Sequence, residues 1–116
     1  MTVSIFENLS GKLALVTGAA GPTGLAIARV LAGHGMRVIL ADLDADRLER
    51  LSSENSAQLI PMVMDVRLPD FVEQALSRIH EQHGAVNVLV NNAGILSNAK
   101  AADTTPDEWR RVMAAN

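Results

Sequence analysis

The sequence predicts an α/β fold, a doubly wound parallel sheet of about four strands with helices on both faces. Short apolar runs alternate with helix-like segments four times along the 116 residues. Each run is continuously apolar, as in parallel strands that are covered on both faces, and does not alternate with polar residues. A chain of this length holds one core, so residues 1–116 are predicted to form a single domain.

The elements follow one another with short connections. Strands are predicted at residues 13–16, 38–41, 59–64 and 86–90, and helices at about 23–35, 44–53, 69–84 and 106–116. The helices carry apolar residues three or four positions apart, as on one buried face. Proline suits the first helical turn at Pro69 and Pro106. Pro61 cannot donate to a sheet ladder, so it predicts an edge strand or a later strand start.

Composition excludes several classes of protein. The charge is 10 − 13 = −3, whereas a nucleic-acid binder needs a basic stripe. The absence of cysteine excludes disulfides and thiolate metal sites, and His80 and His83 lack a third ligand nearby, so no metal site is predicted. The uncharged run 13–28 is too short and too broken by glycine and proline to span a bilayer. We expect a cytoplasmic protein without a signal peptide.

A glycine-rich turn carries the strongest functional signal. Residues 17–24 read Thr-Gly-Ala-Ala-Gly-Pro-Thr-Gly, between the first strand and the first helix. Glycines allow a tight turn and a close approach to a pyrophosphate, and the amides at the helix start favour an anion. The alternative is a turn that only packs the helix on the strand. The strand-turn-helix context favours a dinucleotide site.

Polar residues follow the other strands. Asp42 ends the second strand, where a carboxylate can accept the adenosine ribose hydroxyls and repel a 2′-phosphate, so NAD is favoured over NADP. Alternatively Asp42 caps the next helix, although Asp44 is better placed. Asp65-Val66 and Asn92-Ala93-Gly94 follow the third and fourth strands. Parallel strands end at one edge of the sheet, so all these motifs should converge there.

Together the motifs resemble the short-chain dehydrogenase/reductase family, whose N-terminal half is a Rossmann-type domain. The resemblance implies that the glycine turn holds the NAD(P) pyrophosphate, that Asp65 and Val66 meet the adenine, and that residues 92–94 line the nicotinamide side. The implied cofactor-binding residues are Gly18, Ala20, Gly21, Thr23, Gly24, Asp42, Asp65, Val66, Asn92, Ala93 and Gly94. Asn116 matches the catalytic asparagine, which supports a proton-relay water.

The resemblance also implies an activity. It is hydride transfer between a nicotinamide and a carbonyl or alcohol group of a small-molecule substrate, in an enzyme that forms homo-oligomers. Two features depart from the family pattern. Pro22 stands where the single-domain branch has glycine, and the even spacing of Gly18, Gly21 and Gly24 resembles the extended, epimerase-type branch. Pro22 removes one amide from the anion site but also pre-organises the first helical turn, and either effect could dominate.

The second departure is the absence of tyrosine, since the family's proton donor lies in a Tyr-x-x-x-Lys helix. We therefore expect the chain to be the N-terminal, cofactor-binding part of a longer enzyme, and to be inactive on its own. The alternative is a non-catalytic short protein that binds a dinucleotide or a partner. It would pair through the open apolar edge of the fourth strand, which is an association hazard.

Overall fold

The computed structural model describes residues 7–53 and 58–116. Within them the strands are β1 (Leu13–Thr17), β2 (Arg37–Asp42), β3 (Leu59–Val63) and β4 (Val88–Val90). They form one sheet in the order β3-β2-β1-β4, and every neighbouring pair is parallel. The predicted parallel α/β architecture is confirmed.

The helices are α1 (Pro22–Gly33), α2 (Ala45–Ser53), α3 (Pro69–His83) and α4 (Pro106–Ala115), and short 3-10 turns cover Glu7–Leu9 and Ala101–Asp103. Proline occupies the start of α1, α3 and α4, where its missing N–H costs no helical hydrogen bond. Each helix lies where the sequence predicts it, with ends that differ by one or two residues. Helix α2 begins after Asp44 because that side chain accepts a hydrogen bond from Arg47 N (3.0 Å).

Two apolar clusters sandwich the sheet and explain its continuously apolar strands. One packs α1 and α2 against one face of β1 and β2 and includes Leu25, Leu40 and Leu48. The other packs α3 against the opposite face and includes Leu15 and Ile79. All five residues of β1 are therefore buried, as expected for the central strand of a doubly wound sheet.

The two outer strands, β3 and β4, both lie at an edge of the sheet, as the sequence predicts. Pro61 lies in β3, which pairs only with β2 among the described residues, so the predicted edge position is confirmed. Strand β4 pairs only with β1 in the same part of the chain, and its Leu89 side chain is 55% exposed. The expected open apolar edge is thus present in the described structure.

Strand β4 is shorter than predicted, since it begins at Val88 and not at residue 86. Asn87 explains the difference. Its N–H donates to Leu13 O (2.8 Å), but the N–H of Leu13 donates to the Asn87 side-chain oxygen (3.0 Å). A side chain thereby takes the place of a backbone carbonyl, and the regular ladder starts only at Val88. No helix in the described part of the chain is long and apolar enough to cross a membrane.

Candidate functional site

The carboxyl ends of the strands border one cleft of about 270 Å³. Its lining combines residues at the end of β2 and residues that follow the four strands with two residues of α4. They are Gly18, Ala41, Asp42, Leu43, Met64, Asp65, Val66, Arg67, Ala93, Gly94, Ile95, Arg111 and Ala115. The predicted convergence of the four motifs on one sheet edge is therefore present, and ligands of open α/β sheets bind at such an edge.

The glycine turn is fixed by backbone contacts that exclude side chains. Gly18 has a φ of +64°, which glycine adopts at little cost. Its carbonyl accepts the N–H of Gly21 (3.1 Å) and closes the turn. A Cβ on Gly24 would lie 2.5 Å from Gly18 O and 2.8 Å from Asn92 Nδ2. Helix α1 can approach the turn this closely only because residue 24 has no side chain.

The start of α1 supplies the donors for an anion. The N–H of Leu25 donates to Gly21 O (3.0 Å), and no side chain caps the helix. Pro22 has no N–H. Thr23 and Gly24 each present an N–H that finds no acceptor among the described residues. The helix start therefore offers two free amides, together with the positive end of the helix dipole.

Asp42 connects the glycine turn to the end of β2. Its Oδ2 accepts the N–H of Ala20 (3.0 Å) and its Oδ1 accepts the N–H of Asp44 (3.1 Å). The two backbone donors hold the carboxylate in one orientation at the cleft. A carboxylate has about four acceptor positions, so each oxygen keeps one for a further donor. Asp42 can therefore accept two hydroxyl groups without losing either backbone contact.

Asp65 forms an ion pair with Arg67 at the cleft. The guanidinium donates from Nε to Oδ1 (2.9 Å) and from Nη2 to Oδ2 (2.7 Å), and the N–H of Arg67 also donates to Oδ1 (3.0 Å). These hydrogen bonds, the side-chain ones first, lower the pKa of Asp65 from 3.8 to about 2. A buried carboxylate is thus kept ionised beside the cleft.

This shift predicts a loss of stability in acid. The pKa of Asp65 is depressed in the folded chain. Its contribution to the free energy of unfolding is therefore complete above the pKa of the unfolded chain, near 4. That contribution disappears as the pH falls towards about 2. We expect urea denaturation to show Arg67→Met less stable than wild type at pH 7. The difference should shrink steadily between pH 4 and 2.5.

The acid titration of the other shifted carboxylate does not affect this comparison. Arg111 and, to a smaller extent, Ser97 lower the pKa of Glu108, and this happens in both proteins, so it cancels in the difference. A difference between Arg67→Met and wild type that stays constant from pH 7 to pH 2.5 contradicts the assignment of the shift to Arg67.

Thr17 holds the segment after β4 against the end of β1. Its side chain is buried, and its Oγ1 accepts the N–H groups of Asn92 (3.0 Å) and Ala93 (3.0 Å) and donates to Val90 O (3.4 Å). The side-chain amide of Asn92 donates in turn to Thr17 O (3.2 Å) and Gly18 O (3.3 Å). Asn92 thus supports the glycine turn from behind, while Ala93 and Gly94 border the cleft.

Asn116 lies at the end of α4 and binds the loop after β4. Its Oδ1 accepts the N–H of Ile95 (2.7 Å) and its Nδ2 donates to Ile95 O (3.0 Å). Its Oδ1 would also lie 3.1 Å from a Cβ on Gly94, so glycine leaves room for the amide. Both polar atoms of the side chain therefore position the backbone that borders the cleft.

Of the residues predicted to bind the cofactor, six border the cleft and five do not. Gly18, Asp42, Asp65, Val66, Ala93 and Gly94 border it, whereas Ala20, Gly21, Thr23, Gly24 and Asn92 form or support the turn beside it. The sequence interpretation missed Arg67 and Arg111, and it included Thr17 in the glycine-rich turn without giving it a role of its own. Only Arg67 had a local signal, a cation two residues after a carboxylate.

In residues 7–53 and 58–116, no group of three or more histidine, aspartate or glutamate side chains is placed to hold a metal ion. His80 is exposed on α3, away from the cleft lining.

Comparison with known proteins identifies the family. Residues 12–116 match the family described as short chain dehydrogenase. Trans-4-hydroxycyclohexanecarboxylate dehydrogenase of Sinomonas cyclohexanicum is 32% identical over 94% of this chain and 46% of its own length. The 3-oxoacyl-(acyl-carrier-protein) reductase of Escherichia coli strain K12 is 34% identical over 94% of this chain and 45% of its own length.

Solved structures agree with these relatives. A 3-ketoacyl-(acyl-carrier-protein) reductase from Brucella melitensis, crystallised with NADH, superposes with a TM-score of 0.86 at 31% identity, over 92% of this chain and 45% of that one. The chain thus spans about half the length of these relatives. Because one family matches almost the whole sequence and the fold agrees, the chain belongs to the short-chain dehydrogenase family.

Proposed function

We propose that this chain binds NAD(H) along the carboxyl edge of its sheet, as the cofactor-binding part of a short-chain oxidoreductase. The observation that carries the proposal is the alignment of three features on adjacent strands. Free helix amides follow β1, an oriented carboxylate ends β2, and one cleft borders both strand ends. This is the arrangement that a dinucleotide needs for its pyrophosphate and its adenosine ribose.

The residues present fit such a cofactor. Thr23 and Gly24 N–H groups would hold the pyrophosphate, and Gly24 lets the helix approach the turn closely. Asp42 would accept the ribose hydroxyls with its two remaining acceptor positions. When bound, the nicotinamide supplies the hydride acceptor or donor of the reaction. The chain's own contribution is to bind and orient it.

NAD is favoured over NADP because Asp42 is an anion at the position of the ribose 2′-oxygen, and a 2′-phosphate there would be repelled. The Brucella reductase that was crystallised with NADH supports the choice. The catalytic role of Asn116, support of a proton-relay water, stays a proposal, and its side chain also positions the backbone at Ile95 beside the cleft. Since the sequence contains no tyrosine, we expect these 116 residues to bind the cofactor without turnover.

Reduction or oxidation of a small carbonyl or alcohol substrate is the proposed reaction of the intact enzyme. Its assembly as a homo-oligomer and its cytoplasmic location stay predictions. The alternative stays a non-catalytic short protein that binds a dinucleotide in the same cleft or binds a partner through the open edge of β4.

Replacement of Asp42 by asparagine tests the proposed ribose site. We expect NADH affinity to fall about tenfold, because a charge-assisted hydrogen bond becomes a neutral one. The affinity for NADPH should fall much less, since the Asp42 carboxylate no longer repels its 2′-phosphate. Fluorescence titration of both reduced cofactors measures the ratio of the two dissociation constants.

The matched control is Asp44→Asn, which makes the same chemical change two residues away. Asp44 caps α2 through Arg47 N and does not border the cleft, and asparagine is an equally good cap. The ratio should therefore equal that of the wild type. An unchanged ratio in Asp42→Asn, or an equal change in both variants, contradicts the proposed ribose site.

A further inference from the structure

The outer edge of β3 carries a proline at its centre, and this inference does not depend on the proposed function. Among the described residues β3 pairs only with β2, in a register that sets Pro61 beside Leu40. The other edge of β3 therefore has no partner strand in this part of the chain. Such an edge is a template for pairing with another chain, unless the protein blocks it.

Two hydrogen bonds fix which backbone groups of β3 point away from the sheet. The N–H of Val38 donates to Gln58 O (2.7 Å), and the N–H of Met64 donates to Asp42 O (2.9 Å). In a parallel ladder, alternate residues direct their backbone groups to the same neighbouring strand. Every second residue of this segment therefore faces β2, namely residues 58, 60, 62 and 64. The backbone groups that face outward are those of residues 59, 61 and 63.

Proline at position 61 leaves the sheet intact and removes the central donor from its outer edge. Pro61 has no N–H, and the N–H that it lacks would point away from β2, so the pairing of β2 with β3 loses no hydrogen bond. Within β3, only Leu59 and Val63 keep an outward N–H. The edge thus presents two donors in place of three.

This gap affects the pairing of β3 with the same strand of a second copy. In an antiparallel pair, residues opposite each other exchange both of their N–H···O bonds. The register that matches all three outward residues sets Pro61 opposite Pro61 of the second copy, so two hydrogen bonds are lost. Any other antiparallel register that matches at least two outward residues of β3 also includes Pro61. No extended pairing of two β3 strands avoids the proline.

The rest of this edge favours association. Residues 58–64 contain no charged side chain, and Val63 is 43% exposed. A groove of about 230 Å³ lies between α2 and β3, with Leu48, Met62 and Val63 in its lining. Uncharged apolar segments of six or seven residues pair readily with other copies when they contain no proline. Pro61 is the residue that interrupts this pattern.

We propose that Pro61 closes the β3 edge of the sheet to strand addition by a second copy of this chain. Strand β4, at the opposite edge, consists of Val88, Leu89 and Val90 and has no proline. The two edges of the described sheet are therefore not equivalent, because only β3 lacks a backbone donor at its centre.

The test replaces Pro61 by valine in the full 116-residue chain and measures self-association by sedimentation equilibrium. Valine restores the central N–H and favours a strand. We expect the dissociation constant of the self-associated form to fall at least about tenfold relative to the wild type, because two hydrogen bonds are restored. Amide hydrogen exchange should show protection of residues 59–63 that increases with protein concentration. Pro61→Thr restores the same N–H with a less apolar side chain, so it replaces Pro61→Val if that variant precipitates or fails to fold.

Two controls separate strand pairing from general effects. The double variant Pro61→Val, Val63→Lys keeps the restored N–H but places a charge on the edge, so its association should return to that of the wild type. Pro106→Val also adds a backbone N–H, but at the start of α4 and outside any strand. Its association should equal that of the wild type.

Each other outcome contradicts the proposal. Wild-type association in a folded Pro61 variant shows that the proline does not block the edge. Association that Val63→Lys does not reduce, or protection that lies outside residues 59–63, shows that a different surface pairs. An equal increase in Pro106→Val shows that the loss of any proline has this effect. None of these measurements involves NADH, so the proposed function stands or fails separately.

Discussion

Replacement of Gly24 by alanine is expected to lower the free energy of unfolding by about 2–3 kcal/mol, the upper part of the range for overpacked sites. The new Cβ would lie 2.5 Å from Gly18 O, 2.8 Å from Asn92 Nδ2 and 3.0 Å from Ala19 Cα. Two of these neighbours are backbone atoms of a closed turn, so the start of α1 has to move away. The free amides of residues 23 and 24 move with it, and we expect NADH affinity to fall more than about tenfold.

Two other glycines of the same region provide the controls. A Cβ on Gly33, in the last turn of α1, would meet nothing within 4 Å. Gly33→Ala should therefore leave NADH binding unchanged and stabilise the chain by about 0.5–1 kcal/mol through helix propensity. A Cβ on Gly21 would meet only Gly18 O, at 3.4 Å, so Gly21→Ala should lie between the two. Urea denaturation and NADH titration measure both effects, and equal stabilities of Gly24→Ala and Gly33→Ala would contradict the close packing at Gly24.

Replacement of Thr17 by valine is expected to destabilise the chain by about 2–6 kcal/mol, the cost of two unsatisfied backbone N–H groups. The N–H groups of Asn92 and Ala93 share the Thr17 hydroxyl as their acceptor, and each unsatisfied N–H costs about 1–3 kcal/mol. Valine has almost the same shape as threonine, so the loss reports the hydrogen bonds and not a cavity. The segment after β4 should also become more mobile, which backbone amide hydrogen exchange at residues 92–94 would detect.

Thr17→Ser is the matched control, because it keeps the hydroxyl and removes only a methyl group. We expect a loss of about 0.8 kcal/mol, the value of one buried methyl or methylene group, and unchanged exchange at residues 92–94. If valine destabilises the chain no more than serine does, the Thr17 hydroxyl contributes no more than a methyl group, which contradicts the role given to its hydrogen bonds.

The sequence was sufficient for the architecture because the decisive signals are local. Continuous apolar runs, glycine after β1 and proline at the helix starts each act within a few residues, and together they predict a parallel doubly wound sheet. Pro61 predicted either an edge strand or a later strand start, and the edge position is the one observed. The start of β4 was wrong by two residues because a side-chain oxygen of Asn87 replaces a backbone acceptor, and no periodicity shows that replacement.

The candidate site was predictable in position but not in its internal contacts. Asp42 and the glycine turn follow from strand ends and spacing. The support of that turn by Thr17 and Asn92 joins residues 75 positions apart, and the link between Asn116 and Ile95 spans 21 positions. Such contacts depend on how α4 and the segment after β4 pack, which the residue pattern does not encode. Arg67 is close to Asp65 in sequence, but the ion pair between them also depends on the local turn, in which Leu68 N donates to Asp65 O.

The most direct test of the binding site is a titration of the isotopically labelled chain with NADH, followed by backbone amide chemical shifts. We predict saturable shifts concentrated at the carboxyl edge of the sheet, at Thr23, Gly24, Leu43, Val66 and Ala93, with the outer face of α3 around His80 unaffected. The absence of saturable shifts, or shifts centred on α3, would contradict a dinucleotide site at this edge.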